Sequence, residues 1–201
     1  MKLRWISERG LVVPHDHPAD LARRVLQAGF AEVEDCAGAE GAVLVHLLPG
    51  HAPGAALLHL LQATDAPEDA LPPRLVEIPV RYGGVEGPDL AELATRAGMS
   101  EAEAAALHGG AEYRVAFLGF QPGFAYLVGT PAELAAPRLA TPRARVPAGS
   151  LAVGGPYSGI YPGATPGGWH IIGRTEEVLF DPSRDLPALL APGDRVRFVA
   201  Q

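Results

Sequence analysis

The sequence predicts an α+β protein built from two units, and three observations support that fold class. Apolar residues make up 48% of the 201 residues and charged residues only 19%, which suits a folded core and excludes a disordered chain. Apolar spacing alternates between strand and helix periods early in the chain, whereas the last part has short strands between Gly and Pro turns. Residues 1–115 carry nine Lys or Arg against 17 Asp or Glu, and residues 116–201 carry seven against six. These shifts predict one domain over 1–78 and a second, β-rich domain over 79–201.

The first domain is predicted to contain six elements in the order β-α-β-β-α-β. The alternation of Val43, Val45 and Leu47 indicates a half-buried strand, and Gly29 stands where a helix usually ends. The predicted strands and helices, in chain order, are strand 3–13, helix 18–27, strands 30–36 and 42–48, helix 55–62 and strand 75–80. This order is typical of the split βαβ, ferredoxin-like arrangement.

A pair of short helices over 88–109 is predicted at the start of the second domain. Asp89 is a suitable N-cap for the first helix, and Ser100 with Glu103 forms a capping box for the second. A helix-turn-helix that binds DNA is disfavoured, because residues 101–108 carry two carboxylates and no Lys or Arg. The net charge of −7 also argues against a general nucleic-acid partner.

After residue 113 the chain alternates short strands with Gly and Pro turns, which predicts a small β-barrel or sandwich. The turn Pro192-Gly193-Asp194 directly precedes the last of these strands. The predicted strands are 114–120, 150–153, 170–175, 177–180 and 195–200.

Several kinds of site and location are excluded or disfavoured by the sequence. A Walker-type phosphate loop is impossible because Lys2 is the only lysine, and residues 155–159 lack the spacing of a nucleophile elbow. Cys36 is the single cysteine, so we expect a core residue and no internal disulfide. We predict no metal site, since the ligand types at 15–17 lack a further partner. Without a signal peptide or membrane span in the sequence, we expect a cytoplasmic protein.

Residues 117–175 hold the candidate functional segment. Gly119 and Gly123 alternate with aromatic residues, which indicates backbone turns beneath an aromatic wall. Arg138 and Arg143 each follow a proline, and guanidinium groups held on extended chain suit bidentate capture of a carboxylate or phosphate. The same pattern is also compatible with plain β-turns and solvated arginines. His170 follows a Gly-Gly-Trp turn and is the histidine best placed to take part.

Ordered motifs in this half closely resemble the B subunit family of bacterial 5-oxoprolinase. The matching segments are LGFQPGFAYL, PRLATPRARVPAGS, GIYPGATPGGWHIIGRT and PGDRVRF, with IPVRYGG, GPDLAELATRAGMSEAE and LHGGAEYRV upstream. The family is also labelled allophanate hydrolase subunit 1, and it includes an inhibitor of a sporulation histidine kinase. The resemblance runs from about residue 74 to 200 and is weaker over 1–73.

This resemblance implies a ferredoxin-like first domain and a cyclophilin-like β-barrel second domain. It implies a non-autonomous subunit of an enzyme that uses ATP to open 5-oxo-L-proline to L-glutamate. The expected partners are the C subunit of 5-oxoprolinase, in direct contact, and its A subunit, while the chain alone is expected to be inactive. ATP, with Mg²⁺, is expected to bind in the assembled complex, and no metal or biotin is expected on this chain.

The implied substrate groove is shared with the C subunit. Arg138 and Arg143 are expected to anchor an anion, Phe124 and Tyr126 to form walls, and catalytic residues are not assigned. Tyr157 stands where relatives often have a carboxamide, which puts a carboxamide contact there in doubt. The predicted substrate-binding residues are Gln121, Phe124, Tyr126, Arg138, Arg143, Tyr157, Trp169 and Arg174.

Two alternative functions stay open. The chain could inhibit a sensor histidine kinase through its barrel domain, which would require a stoichiometric complex with the kinase dimerisation domain. It could also be a carboxyltransferase component acting on urea or a similar amide, which would require a biotin-bearing partner.

Overall fold

The computed structural model describes residues 3–63 and 74–201, which fall into two compact units, Met1–Pro72 and Pro73–Gln201. Helices are α1 (Pro18–Ala28), α2 (Ala55–Leu61), α3 (Leu90–Ala97) and α4 (Glu101–Gly110). Strands of the first unit are β1 (Arg4–Trp5), β2 (Gly10–Pro14), β3 (Val33–Ala39) and β4 (Ala42–Leu47). Strands of the second unit are β5 (Leu75–Tyr82), β6 (Tyr113–Leu118), β7 (Ala125–Val128), β8 (Arg143–Val146), β9 (Ser150–Gly154), β10 (Tyr157–Ile160), β11 (Thr165–Gly167), β12 (His170–Arg174) and β13 (Arg195–Ala200).

The first unit is an antiparallel sheet with strand order β1-β2-β4-β3. Strands β2 and β3 both run antiparallel to β4, so they are parallel to each other and the split βαβ is present. One sheet face packs against α1 and α2, because alternate strand residues and one side of each helix are apolar. The resulting core contains Leu11, Val13, Leu21, Ala22, Val25, Cys36, Val43, Val45, Leu47, Leu57 and Leu61.

The complete ferredoxin-like arrangement predicted for 1–78 is not confirmed. The place beside β2 is taken by β1, which comes earlier in the chain and pairs Trp5 with Leu11. The predicted closing strand of this domain is instead β5 of the second unit, where it runs parallel to β13 and antiparallel to β12. The boundary between the compact units therefore lies at Pro72, not inside this strand. Period-two spacing shows that a strand is half-buried but does not choose its partner.

The second unit is a closed barrel with strand order β10-β7-β6-β13-β5-β12-β9, which decides between the barrel and the sandwich. Strands 150–154, 170–174 and 195–200 confirm predicted strands, whereas β7, β8, β10 and β11 were missed because each has only three or four residues. Residues 177–180 do not form a strand and make only an isolated bridge between Phe180 and Ala188. Both predicted helices of the 88–109 pair are present, and Ser100 and Glu103 make the predicted capping box.

Strands β9 and β12 are covered on both faces. Leu151 and Val153 of β9 face the barrel core, while Ala152 between them belongs to a second apolar cluster on the other face. On β12, Ile172 lies in the barrel core and Ile171 in the second cluster. The two-stranded ribbon of β8 and β11 contributes Val146 to that second cluster. The resulting layer, outside the barrel and beneath the ribbon, holds most of the candidate site.

A buried imidazole bridges the barrel interior. His108 is fully buried, its Nδ1 lies 2.9 Å from the Tyr82 hydroxyl, and its Nε2 lies 2.9 Å from the Ser158 hydroxyl. Burial lowers the pKa of His108 to about 3, so the ring is neutral at physiological pH. Burial likewise raises the pKa of the Cys36 thiol to about 12, which confirms the expected core role of that cysteine. Among the described helices, none is both long and apolar enough to cross a membrane.

Candidate functional site

The aromatic side chains predicted to form a wall make a connected cluster on the outer side of β7, β9 and β12. The ring centroids of Phe124 and Trp169 lie 5.4 Å apart, and those of Tyr126 and Trp169 lie 5.6 Å apart, both edge to face. Tyr126 also stacks on Phe117 at 4.3 Å. The structure therefore brings together four of the predicted site residues: Phe124, Tyr126, Tyr157 and Trp169.

Most of this aromatic cluster is packed rather than open. Phe124 and Trp169 are only 1% and 4% exposed, so they support the site from below. Two glycines make the packing possible. A Cβ on Gly154 would lie 2.4 Å from the Trp169 ring, and a Cβ on Gly167 would lie 2.5 Å from the Tyr161 hydroxyl oxygen. Glycine is therefore required at both positions by the close approach of an aromatic ring.

Phe120 is the solvent-exposed member of the cluster. Its side chain is 59% exposed, and its edge contacts Phe124 and Tyr161 at centroid distances of 5.4 and 6.2 Å. Its φ of +70° is the only positive value among non-glycine residues of the described chain. An exposed aromatic residue held in the left-handed region is a strained arrangement, and such strain concentrates at functional sites.

Arg143, at the start of β8, is held by the protein rather than solvated. Its Nη2 donates to Oδ1 of Asp89 at 2.6 Å, and its Nη1 donates to the Trp169 carbonyl at 3.4 Å. The side chain of Arg143 is nevertheless 30% exposed. The interpretation of this arginine as a freely solvated residue is therefore wrong, whereas its predicted role as an anion anchor stays a prediction.

Arg138 is exposed and makes no ion pair within residues 3–63 and 74–201. Its neighbours are fixed on both sides. The N–H of Leu139 donates to the Gly168 carbonyl at 2.7 Å, and Nε2 of His170 donates to the Pro137 carbonyl at 3.0 Å. The histidine singled out from the sequence thus fastens the segment that carries Arg138.

Tyr161 is a site residue that sequence analysis missed. The phenol is 2% exposed, and burial raises its pKa. A hydrogen bond from the Trp169 backbone and the positive charges of Arg138 and Arg143 act in the opposite direction. One phenol is therefore within electrostatic reach of both predicted anchors. The available signal was its position in the motif GIYPG, between two predicted site segments.

The remaining predicted residues lie around or away from this centre. Gln121 donates from Nε2 to the Gly163 carbonyl at 3.4 Å, linking the turn after β6 to the loop before β11. Arg174 is at the opposite end of β12 from Trp169, roughly 16 Å along an extended strand. Its Nη1 lies 3.8 Å from Glu86, which also approaches Arg81. Arg174 therefore does not join the cluster.

The arrangement suits an anionic ligand of small size with a flat apolar part. Arg138 and Arg143 supply positive charge, and Phe120 supplies an exposed apolar face. Guanidinium groups bind carboxylates through paired N–H donors, and aromatic rings cover the apolar part of such ligands.

Comparison with known proteins gives the family of the chain. Residues 4–190 match the family model for the carboxyltransferase domain, subdomain C and D, and the chain belongs to that family. Among curated relatives, the 5-oxoprolinase B subunit of Escherichia coli O157:H7 is 58% identical over 135 residues, covering 66% of this chain and 62% of the relative. The protein of the same name from Bacillus subtilis is 49% identical over 126 residues, covering 63% and 52%.

Solved structures agree with the fold. The crystal structure of TTHA0988 superimposes with a TM-score of 0.85 at 38% identity, over 96% of this chain and 40% of that chain. The Kluyveromyces lactis urea amidolyase gives a TM-score of 0.71 at 17% identity, over 99% of this chain and 15% of that chain, a likeness of fold alone. The match thus spans about three fifths of the E. coli relative and two fifths of the TTHA0988 chain.

Proposed function

We propose that this chain is one subunit of an ATP-dependent 5-oxoprolinase, which opens 5-oxo-L-proline to L-glutamate. The observation that carries the proposal is the position of Arg143, which is bonded to Asp89 and to the Trp169 carbonyl, at the aromatic cluster that the exposed Phe120 borders. The substrate has one carboxylate on a flat lactam ring, and this set offers charge for the first and an apolar face for the second. The shared name of relatives that are 58% and 49% identical gives further support.

The chemistry explains why a carboxylate anchor is useful. A five-membered lactam resists hydrolysis, and transfer of the ATP γ-phosphoryl group to the amide oxygen turns that oxygen into a leaving group. Water then adds to the former carbonyl carbon, and the ring C–N bond breaks to leave an acyl phosphate and a free amine. A second water releases phosphate and gives L-glutamate. The part we assign to this chain is to bind and orient the substrate, since a positioned ligand needs no further ordering in the reaction.

Activity is proposed to require the C and A subunits of 5-oxoprolinase, with the former in direct contact and ATP with Mg²⁺ bound in the assembled complex. Gln121 and Tyr157 are proposed to lie along the shared groove. Arg174 contributes to the fold and not to the anion site, because it lies at the other end of β12.

The test measures whether turnover of 5-oxo-L-proline depends on assembly of the subunits. The chain is purified alone, with the C subunit, and with the C and A subunits together, and each sample receives 5-oxo-L-proline and ATP. Glutamate release from the full set and none from the chain alone supports the proposal. The absence of substrate-dependent ATP use in every combination would overturn it.

Arg143→Ala supplies the residue-level test. We expect turnover of the full set to fall by about 100-fold, because an oriented charge is lost from the substrate site. Arg145→Ala is the matched control, since Arg145 lies two residues further along β8, is exposed, and makes no ion pair with the described residues. Equal turnover in the two variants contradicts the anchor role.

A carboxyltransferase acting on a urea-like amide is the second candidate, favoured by the family model and by the fold shared with urea amidolyase. This candidate requires transfer from a carboxylated biotin on a partner. Turnover that depends on biotin and bicarbonate would favour it over ring opening. Inhibition of a histidine kinase stays an untested hypothesis.

A further inference from the structure

The position of Asp89 connects a helix start to the proposed anion site. Sequence analysis assigned Asp89 as the N-cap of α3, and it does occupy that position, but its side chain makes no cap hydrogen bond. The carboxylate points instead to β8 and β12. Oδ1 accepts from Nη2 of Arg143 at 2.6 Å, and Oδ2 accepts from the Ile171 N–H at 2.6 Å.

The backbone of Asp89 is fixed to the same strand. Its own N–H donates to the Ile171 carbonyl at 2.9 Å, so residue 171 is bonded to Asp89 through both its N–H and its C=O. The residue is 7% exposed, and a buried carboxylate held in this way has little freedom to reorient. The carboxylate is therefore a fixed point on which a guanidinium can be held.

Asp89 leaves most of the Arg143 guanidinium available. Of its five N–H donors, one is bonded to Asp89 and one to the Trp169 carbonyl among the described residues. The remaining donors belong to a side chain that is 30% exposed. On β8, Arg143 pairs with Gly167 of β11, and the Tyr161 hydroxyl packs against that glycine. The ion pair with Asp89 thus fixes the direction of the donors that stay free for a ligand.

We propose that Asp89 is a positioning residue, which holds Arg143 in the orientation that receives the substrate carboxylate. This inference rests on the proposed function of the same site. It adds a residue that lies outside the motifs of the candidate segment and that touches no substrate.

The chain contains a closely matched ion pair for comparison. Asp194 is 6% exposed, accepts from Nη2 of Arg74 at 2.5 Å, and accepts from the Ala191 N–H at 2.9 Å. It therefore has the same kind of partners as Asp89 and a similar burial. A purely structural role for both carboxylates predicts similar effects of Asp89→Asn and Asp194→Asn on stability and none on ligand affinity.

The experiment measures binding of 5-oxo-L-proline to the full chain by the fluorescence of Trp169. The sequence has two tryptophans, and Trp5→Phe leaves Trp169 as the only one. Trp5 is 50% exposed, so this background is expected to fold normally. In it, Asp89→Asn is expected to weaken binding by about tenfold, since a misdirected donor loses much of its interaction, whereas Asp194→Asn leaves affinity unchanged.

A double-mutant cycle shows whether Asp89 acts through Arg143. In an Arg143→Ala background, Asp89→Asn should cause no further loss of affinity, because the side chain being held is gone. Asp89→Glu keeps the carboxylate and is expected to recover part of the affinity. It also serves as the folded variant if Asp89→Asn lowers the melting temperature below that of the assay.

The outcomes separate the two proposals. If the parent chain binds 5-oxo-L-proline and Asp89→Asn binds it equally well or more tightly, Asp89 only competes with the ligand for Arg143. That result overturns the positioning role while the substrate site stands. An equal loss in Asp89→Asn and Asp194→Asn also overturns it. If the parent chain shows no binding of 5-oxo-L-proline by isothermal titration calorimetry, either alone or in complex with the C subunit, the substrate site on this chain and the positioning role are overturned together.

Discussion

The two faces of strands β9 and β12 differ in chemistry although they share one backbone. The inner face carries aliphatic residues such as Leu151, Val153 and Ile172, which fill the barrel. The outer face lies against aromatic rings and, at its edge, against the arginines of the candidate site. A close-packed aliphatic core has no room for a polar ligand. The outer face is only partly covered, so charged groups lie there beside rigid aromatic rings. The barrel therefore acts as a support, and the layer outside it carries the proposed function.

Removal of the central ring should give the largest effect on stability. Trp169→Ala is expected to lower the free energy of unfolding of the second unit by about 3–5 kcal/mol, because Trp169 is 4% exposed and packs on Phe124, Tyr126 and Gly154. Urea titration monitored by circular dichroism measures the change. Trp5→Ala is the control and should cost far less, since half of that side chain is already exposed.

Trp169→Ala also tests whether the outer and inner faces of β9 and β12 differ in their effect on ligand binding. Because Trp169→Ala removes the fluorescent reporter, binding of 5-oxo-L-proline to the two variants is compared by isothermal titration calorimetry. If Ile172→Ala, on the inner face, weakens binding as strongly as Trp169→Ala does, the outer face has no special part in the site. We expect Ile172→Ala to lower stability alone.

His108, which is buried in the barrel interior, should impose a dependence of stability on pH. The ring has a pKa of about 3 in the fold and an ordinary value of 6.5, so the unfolded chain binds more protons between these pH values. Stability should therefore be complete above about pH 6.5 and decline as the pH falls toward 3, by about 2 kcal/mol at pH 5.

The measurement is the urea midpoint of the chain and of His108→Gln at several pH values. Glutamine does not titrate, so this variant should lose less stability between pH 7 and pH 5 than the parent chain. Parallel curves for the two proteins would show that another group causes the acid sensitivity.

The smallest expected effect lies outside both faces, at the start of α4. Ser100→Ala removes the hydroxyl that accepts from the Glu103 N–H, and it should cost about 1 kcal/mol. Thermal melting of the variant measures this cost, and 5-oxo-L-proline affinity should be unchanged. A loss of affinity would connect α4 to the site and would sharpen the comparison by adding a third contributing region.

Local signals predicted the helices and several of the strands. The capping box at Ser100, the helix end at Gly29 and the last strand at 195–200 each depend on a few neighbouring residues, and each is present in the structure. Among the predicted site residues, Phe124, Tyr126, Tyr157 and Trp169 do cluster in the structure, whereas their role in binding a substrate stays a prediction.

Contacts between residues that are far apart in the chain were not predictable from the sequence. Arg174, like Arg143, lies in a motif that resembles the family. It is nevertheless at the end of β12 that is away from the aromatic cluster. Asp89 has the sequence features of an N-cap, but Arg143, 54 residues away, takes its carboxylate. Tyr161 was missed because its bond with the Trp169 backbone and its packing against Gly167 of β11 form only in the folded chain.

The sequence by itself determined the family, the four helices and the presence of a β-rich second unit, because propensities, caps and motifs act within a few residues of one another. Only the tertiary structure decided which sheet receives β5, which faces of β9 and β12 are inner and outer, and what Asp89 binds. These features depend on pairing between strands that are far apart in the chain. A period-two pattern is satisfied by any partner that covers the apolar face, so the choice among partners belongs to the whole fold.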